Sequence, residues 1–281
     1  MDRDYRHHGR DIAHIQMKLY REASSRKEKP LKHLKKLLVK EEVLSAAWEN
    51  LNRDTNSTGV DCVSIRQVEG SGVDEFLETV REELKTNRYR AENIRRVDIP
   101  KENGSQRHLG IMTVKDKLVQ SAMKLVLEPI FEADFENCSF GFRPFRSTKL
   151  ASLEVYKWLE TGLNQVVKGD IKDCFDSIPH KKLMDCLKAK IEDKYLLSII
   201  ESWLKAGVVE GDSVSYPEKG VPQGGIISPL LVNIYLDQID KLWRRDVFEG
   251  RVGRPNERLV RYADDFVVLG KNWVDFSRIP R

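Results

Sequence analysis

The chain has 281 residues, of which 33% are charged and 40% are hydrophobic, and its formal net charge is +4. The mean hydropathy is −0.49, and no apolar run reaches the roughly 18 residues that span a bilayer. Aromatic residues make up 8% of the chain, enough to help fill a core. These values exclude a membrane-spanning protein and a wholly disordered one.

The four cysteines, at positions 62, 138, 174 and 186, have neither a C-x-x-C spacing nor the spacing of zinc ligands. We therefore predict neither a disulfide framework nor a zinc site. No apolar signal segment follows Met1, so we expect a cytoplasmic protein that does not contact a membrane.

Positive charge is concentrated at the N-terminus, where residues 1–40 carry twelve lysines and arginines against five acidic residues. Directly after this basic segment, the spacing of apolar residues predicts an amphipathic helix over 39–48. A basic arm that leads into a helix suits contact with a polyanion such as RNA. The alternative is a charged leader that is simply solvated.

Local patterns predict a helix, a hairpin and a second helix in the next part of the chain. After a polar loop over 52–61, apolar spacing predicts a helix over 73–84. Alternating segments over 94–100 and 106–111 flank a polar turn and predict a β-hairpin, with Lys101 and Arg107 near its tip. Thr113 is the predicted N-cap of a helix that runs to Pro129.

The remaining elements follow a loop over 139–144 that contains aromatic and basic residues. Helices are predicted over 148–159, from Pro179 to about residue 191, over 195–204 and over 228–245. A strand is predicted over 165–171, a hairpin over 208–216, and two strands within 259–269 that are joined at 263–265. The segment 220–225 is a tight glycine-rich loop.

The strongest signal for chemistry is the pair Asp264 and Asp265 between two apolar runs. Adjacent carboxylates at a hairpin tip repel each other, and a divalent cation would offset that repulsion. Aspartate is also a common turn residue, so an ordinary surface turn is the alternative.

A further carboxylate, Asp170, ends the predicted strand over 165–171. Together with Asp264 and Asp265 it would supply oxygen ligands for two Mg²⁺ ions about 3.5–4 Å apart. One ion would activate an attacking hydroxyl and the other would stabilise a leaving pyrophosphate. Taken alone, Asp170 also fits a turn or a helix-leading aspartate.

The glycine-rich loop is the third signal, because Ser228 and Pro229 open a predicted helix directly after it. Glycines let the backbone approach a ligand closely, and a helix N-terminus favours phosphate. Gln223 could form a hydrogen bond with a sugar hydroxyl or a base. The alternative is an ordinary loop that caps a helix.

With these motifs in this order, the sequence resembles the reverse transcriptase family, and most closely the group II intron-encoded reverse transcriptases, also called maturases. The resemblance runs from about Leu38 to Gly270. It rests on Gly59-Val60-Asp61, the hairpin 99–111, Ser139-Phe140-Gly141-Phe142-Arg143-Pro144, the segments 170–176 and 220–230, and Tyr262-Ala263-Asp264-Asp265. The family often has proline where His108 and Met112 stand, so the hairpin departs slightly from its pattern.

The resemblance implies an α+β fold with the fingers and palm of a right-hand polymerase, in which an antiparallel palm sheet packs on helices. It implies a basic N-terminal extension over 1–40, fingers over 41–160 and a partial palm over 161–281. Asp170, Asp264 and Asp265 would bind two Mg²⁺ ions, with the backbone carbonyl of Ile171 as a further ligand and Mn²⁺ as a substitute metal.

The same resemblance implies contacts with nucleotide and nucleic acid. Lys101 and Arg107 would clamp the triphosphate of the incoming dNTP, and Gln223 would touch the nucleotide. Phe175 would lie beneath its sugar and leave no room for a 2′-hydroxyl. The template would be held by Phe140, Phe142 and Arg143, and the primer end would lie by Tyr262. The plainer alternatives are solvated charges at a turn and packed aromatic side chains.

The implied activity is RNA-directed DNA synthesis, which adds dNTPs to the 3′-hydroxyl of a DNA or RNA primer on an RNA template. Binding of intron RNA and assistance of its splicing are implied as well. An enzyme that copies RNA into RNA is a related alternative, which Phe175 disfavours. From another class, the alternative is a non-catalytic RNA-binding module or an inactive fragment.

The chain ends sixteen residues after Asp265, before the thumb of the family. We therefore expect weak or no polymerase activity from the chain alone, and a second chain that supplies a thumb is a candidate partner.

Overall fold

The structure is a computed structural model and describes residues 5–26, 29–51, 57–100, 106–248 and 257–271. The chain divides into two compact units, the first comprising Met1–Asp134 and Phe175–Leu231, the second Phe135–Cys174 and Val232–Arg281. The predicted division into extension, fingers and palm stays a prediction, because compactness does not identify functional regions. Within the described ranges, no helix is long and apolar enough to cross a membrane.

Within the described residues, several helices precede the first strand, and helices and strands are mixed after it. The helices are α1 Tyr5–Ser25, α2 Lys35–Leu38, α3 Glu41–Glu49, α4 Ile65–Ser71, α5 Val73–Lys85, α6 Val114–Glu132, α7 Thr148–Glu160, α8 Cys174–Ser177, α9 His180–Lys188, α10 Lys194–Leu204 and α11 Ser228–Phe248. The strands are β1 Ile94–Pro100, β2 Gln106–Ile111, β3 Gln165–Asp170, β4 Val208–Glu210, β5 Ser213–Ser215, β6 Arg258–Tyr262 and β7 Asp265–Gly270.

Helix α1 was not predicted from the sequence. Its residues Ile12 and Leu19 are buried, and the amide of Gln16 donates a hydrogen bond to the carbonyl of Leu125 on α6 at 3.2 Å. The buried face of this helix is hard to recognise in the sequence, because its few apolar residues are two turns apart among many charges. This part of the basic segment is therefore packed and is not a solvated leader.

Helix α6 is the buried centre of the first unit, and α1 and α3 pack against it. Thr113 is the N-cap, as predicted, and its side chain accepts a hydrogen bond from the backbone of Asp116. The predicted end at Pro129 is wrong, because the helix continues to Glu132. Burial of Ile130 and Phe131, at about 1.5–3 kcal/mol for each side chain, offsets the cost of about 3 kcal/mol of a proline inside a helix.

The first unit also contains a four-stranded sheet of order β2-β1-β4-β5. The predicted hairpin pairs β1 with β2 from Arg95 opposite Ile111 to Pro100 opposite Gln106. The short hairpin of β4 and β5 joins β1 in parallel, starting from Ile94 opposite Val208.

The second unit is built on a three-stranded antiparallel sheet of order β3-β7-β6. Alternate residues of β6 and β7 enter two apolar clusters. Val260 and Leu269 pack with Ala151 of α7, whereas Leu259 and Val268 pack with Trp243 of α11. The sheet is therefore covered by helices, and its strand ends carry the predicted acidic residues.

Candidate active site

The predicted acidic residues meet at one end of the β3-β7-β6 sheet. In the antiparallel register, Asp170 of β3 lies opposite Asp265 of β7, and Tyr262 of β6 also lies opposite Asp265. Residues opposite each other in such a pair have Cα atoms about 4.5–5.5 Å apart. Asp264 lies in the turn, where its carbonyl accepts a hydrogen bond from the backbone of Ile171 at 3.2 Å. Residues 170 and 264 are thus neighbours in space.

The carboxylates are accessible, since Asp170 and Asp265 are exposed and Asp264 is partly buried. The ammonium of Lys168 lies 3.5 Å from a carboxylate oxygen of Asp265. Among the residues that the structure describes, no three His, Cys, Asp or Glu side chains are arranged to ligate a metal ion. The register brings the three residues to one end of the sheet, and an all-oxygen donor set of this kind fits Mg²⁺.

Cys174 is buried beside these carboxylates. Burial raises the pKa of its thiol to about 11, and the negative charges of Asp264 and Asp170 add to the rise. A thiol that stays protonated at neutral pH is neither a nucleophile nor a thiolate ligand.

The turn between β6 and β7 is backbone-strained and closely packed. Ala263 has a φ of 56°, in the left-handed region that residues with a Cβ rarely adopt. The backbone of Gly141 lies directly against it, because a Cβ at Gly141 would be 2.3 Å from the backbone nitrogen of Ala263. The guanidinium of Arg261 donates a hydrogen bond to the carbonyl of Ala263 at 2.9 Å.

Sequence reasoning did not predict the roles of Gly141 and Arg261 at this turn. A signal for Arg261 was available, since it is a charged residue inside the apolar run 259–263, and charges are almost never fully buried unless paired. Gly141 had no such signal, because its backbone is not in the left-handed region and only the tertiary contact requires a glycine.

The residues predicted to contact the nucleotide lie in the first unit, where the glycine-rich loop fixes them. The backbone of Val221 donates a hydrogen bond to the carbonyl of Phe175 at 2.6 Å, and the carbonyl of Gln223 accepts one from Gly110 of β2 at 2.7 Å. The amide of Gln223 donates to Asp176 at 3.1 Å. The loop therefore ties the backbone of Phe175 to the hairpin of β1 and β2.

Two residues were predicted to bind the triphosphate. Arg107 lies in β2, with its backbone opposite Ile99, whereas Lys101 lies outside the described residues. A cleft of about 310 Å³ in the same unit is lined by residues that include Gln223, Arg96 and Lys219. Its lining combines these polar and basic side chains with apolar ones such as Leu109 and Val221.

The loop before α7 buries two of the three predicted template residues. Arg143 is 7% exposed, and its guanidinium donates hydrogen bonds to the carbonyls of Glu136 at 2.6 Å and Ser139 at 2.9 Å. Phe140 is also buried, and it packs in one cluster with Tyr262, which is partly buried. These contacts support the loop from within, and the predicted contacts of these residues with template or primer stay predictions.

The same loop exposes two aromatic rings. Phe142 is 51% exposed and Phe145 is fully exposed, and both have a positive φ, of 55° and 59°. A bulky residue in this conformation is unusual and worth attention. The sequence predicted a template contact for Phe142 but not for Phe145, which follows the segment that carries the resemblance.

Comparisons with known proteins agree with this fold. The family described as reverse transcriptase (RNA-dependent DNA polymerase) matches residues 99–279. Protein YkfC of Escherichia coli (strain K12) is 32% identical, over 92% of this chain and 76% of its own length. The group II intron-encoded protein LtrA of Lactococcus lactis subsp. cremoris is 37% identical, over 74% of this chain and 34% of its own length. A solved partial Cas6-RT-Cas1–Cas2 complex has a chain with a TM-score of 0.54 and 25% identity, over 86% of this chain and 39% of that one.

The chain therefore belongs to the reverse transcriptase family. The expected resemblance is confirmed, and so is the α+β fold of a polymerase with fingers and palm. Members of this family depend on divalent metal ions and bind RNA. The chain spans about three quarters of YkfC and about a third of LtrA.

Proposed function

We propose that this chain forms the fingers and palm of an RNA-directed DNA polymerase of the group II intron type. The observation that carries the proposal is the register of the palm sheet, which sets Asp170 opposite Asp265 beside the turn of Asp264. The family match and the similarity to LtrA support it.

The acidic residues Asp170, Asp264 and Asp265, with the carbonyl of Ile171, would hold two Mg²⁺ ions, for which Mn²⁺ can substitute. Metal ions held there would supply the charge that activates the primer 3′-hydroxyl and stabilises the leaving pyrophosphate. The chain itself contributes position, because paired strands fix the backbone of all three carboxylates. Lys168, close to Asp265, offsets part of the mutual repulsion among them.

The nucleotide would be bound through residues of the first unit. Phe175 would lie beneath the sugar and exclude a 2′-hydroxyl, which selects dNTPs over rNTPs. Gln223 would contact the nucleotide, and its bonds to Gly110 and Asp176 restrict where it can point. Lys101 and Arg107 would neutralise the triphosphate as cations at the hairpin.

The nucleic-acid partners would be an RNA template, intron RNA and a DNA or RNA primer. Exposed Phe142 can stack on an unpaired base, while Phe140 and Arg143 shape the loop that presents it. Tyr262 would lie by the primer end. Binding of intron RNA would assist its splicing, as the similarity to a group II intron-encoded protein suggests.

The test is addition of a single nucleotide to a primer on an RNA template in Mg²⁺. Asp264→Asn should abolish addition because it removes a charged metal ligand. Asp185→Asn, at an exposed position of α9, should not change it. Phe175→Ala should increase rNTP use relative to dNTP use. A single addition requires less grip on the duplex than long synthesis, so it can be measured even where synthesis by the chain alone is weak. RNA binding without any single-nucleotide addition by the wild-type chain would reject the enzyme and favour a binding module.

A further inference from the structure

A buried ion pair lies behind the turn that carries Asp264. Arg261 of β6 is 2% exposed and Asp240 of α11 is 1% exposed. The Nε of Arg261 donates to the two carboxylate oxygens of Asp240 at 2.9 and 3.2 Å. Burial lowers the pKa of the guanidinium, but the bonds and charge of Asp240 outweigh burial, and the pKa is raised overall.

The remaining donors of Arg261 extend from this pair to the turn. One terminal nitrogen, Nη1, donates to the carbonyl of Ala263 at 2.9 Å and to the side-chain oxygen of Asn233 at 3.0 Å. The amide nitrogen of Asn233 in turn donates to the carbonyl of Gly141 at 2.7 Å. A continuous buried network thus connects α11 with both backbone segments that meet at the turn.

We propose that Arg261, anchored by Asp240, is a positioning residue that holds the Ala263-Asp264 turn where the carboxylates can bind metal; this inference rests on the proposed function. The unfavourable φ of Ala263 explains why the turn needs such a restraint, since strained backbone persists only when its surroundings over-determine it. A planar guanidinium suits the role because it offers five donors in a fixed fork.

A purely structural role is the alternative, and the ion pair allows the two roles to be separated. Removing one partner of a buried pair is destabilising because it leaves an unpaired charge, but replacing both partners by apolar residues is often neutral. Arg261→Met combined with Asp240→Leu should therefore melt well above Arg261→Met alone. The turn in the double variant nevertheless lacks its hydrogen-bond donor.

Two readouts, neither of which needs nucleotide addition, test the double variant against wild type. Hydrogen exchange of the peptide covering 259–269 should be faster by about tenfold, the effect of losing roughly one net hydrogen bond at the turn. The Kd for Mn²⁺, measured without nucleic acid, should be weaker by about 10–100-fold, the range seen when groups that orient metal ligands are removed. Arg261→Lys keeps the charge but cannot reach all three acceptors, so its Mn²⁺ affinity should also fall.

The matched control is Tyr89→Phe, which removes a buried hydroxyl that bonds Asp116 and accepts from Trp203 in the first unit. It should lower the melting temperature without changing Mn²⁺ affinity or exchange at the turn. Wild-type exchange, or wild-type Mn²⁺ affinity, in the double variant would overturn the inference.

The inference and the proposed function fail separately. If the wild-type chain binds Mn²⁺ in a way that requires Asp264 but adds no nucleotide, the proposed function is wrong and the positioning role of Arg261 stands. If Mn²⁺ binding does not require Asp264, the positioning role is overturned as well.

Discussion

Gly141→Ala is the most direct test of whether the position of the Ala263 turn controls the site. The new Cβ would lie 2.3 Å from the backbone nitrogen of Ala263 and 3.0 Å from the carbonyl carbon of Tyr262. The backbone at Gly141 is not in the left-handed region, so alanine adds no torsional strain. The substitution therefore changes one thing, the distance between two backbone segments.

The size of the effect follows from that distance. Ordinary van der Waals contact begins near 3.4 Å, so the turn has to retreat by about 1 Å, and a displacement of that size can cost about 100-fold in rate. Overpacking of this kind also costs about 1–3 kcal/mol of folding stability. We expect single-nucleotide addition to fall about 100-fold and the free energy of unfolding to fall by this smaller amount.

The assay compares Gly141→Ala with Gly70→Ala in α4, where an added Cβ meets nothing within 4 Å. The control should gain about 0.5–1 kcal/mol, because alanine is the better helix former, and it should keep its rate. Urea denaturation gives the stabilities, and Mn²⁺ affinity gives the same comparison without nucleic acid. A Gly141→Ala protein that is destabilised but retains the rate and the Mn²⁺ affinity of wild type would refute the steric argument.

Three further predictions concern stability, pH and RNA binding. Tyr89→Phe should destabilise the chain by about 1–3 kcal/mol, because the indole of Trp203 loses its buried acceptor. Burial raises the pKa of Asp237 to about 6, although Lys241 at 2.6 Å acts to lower that pKa. The carboxyl of Asp237 then binds a proton more tightly in the folded than in the unfolded state. The contribution of that proton to folding stability is present in acid and is lost as the pH rises through 6. Relative to Asp237→Asn, wild type should lose up to about 3 kcal/mol of folding stability between pH 4 and 7. Phe145→Ala should weaken binding of single-stranded RNA by about 1–3 kcal/mol if the ring stacks on a base.

Each of these has its own control and refuting result. Tyr20→Phe, at an exposed ring of α1, should leave stability unchanged, and an equally stable Tyr89→Phe would remove the hydrogen-bond argument. Urea denaturation of wild type and Asp237→Asn across this pH range should give diverging stabilities, and parallel curves would contradict the raised pKa. Tyr216→Ala, at an exposed ring of the first unit, is the control for RNA affinity; equal losses in both variants would show that no specific base stacks on Phe145.

Features that depend on neighbours along the chain were predictable from the sequence. The hairpin of β1 and β2 follows from two alternating segments around a polar turn, and the cap at Thr113 follows from its spacing to Asp116. Pro129 shows the limit, because its local cost is outweighed by the burial of Ile130 and Phe131, which only packing reveals. Helix α1 shows the same limit, since a narrow buried stripe is hidden among charges.

By itself, the sequence determined which acidic residues end strands or occupy turns, because the period of a strand and the chemistry of a turn are local. It also determined the family, because Asp170, the glycine-rich loop and the Asp264 turn occur in a fixed order. Only the tertiary structure decided which charges are buried and with whom they pair. The sequence predicted a template contact for Arg143 and no role for Arg261, yet each is held inside by acceptors that packing brings close. The free energy of such contacts depends on distance and burial rather than on position along the chain.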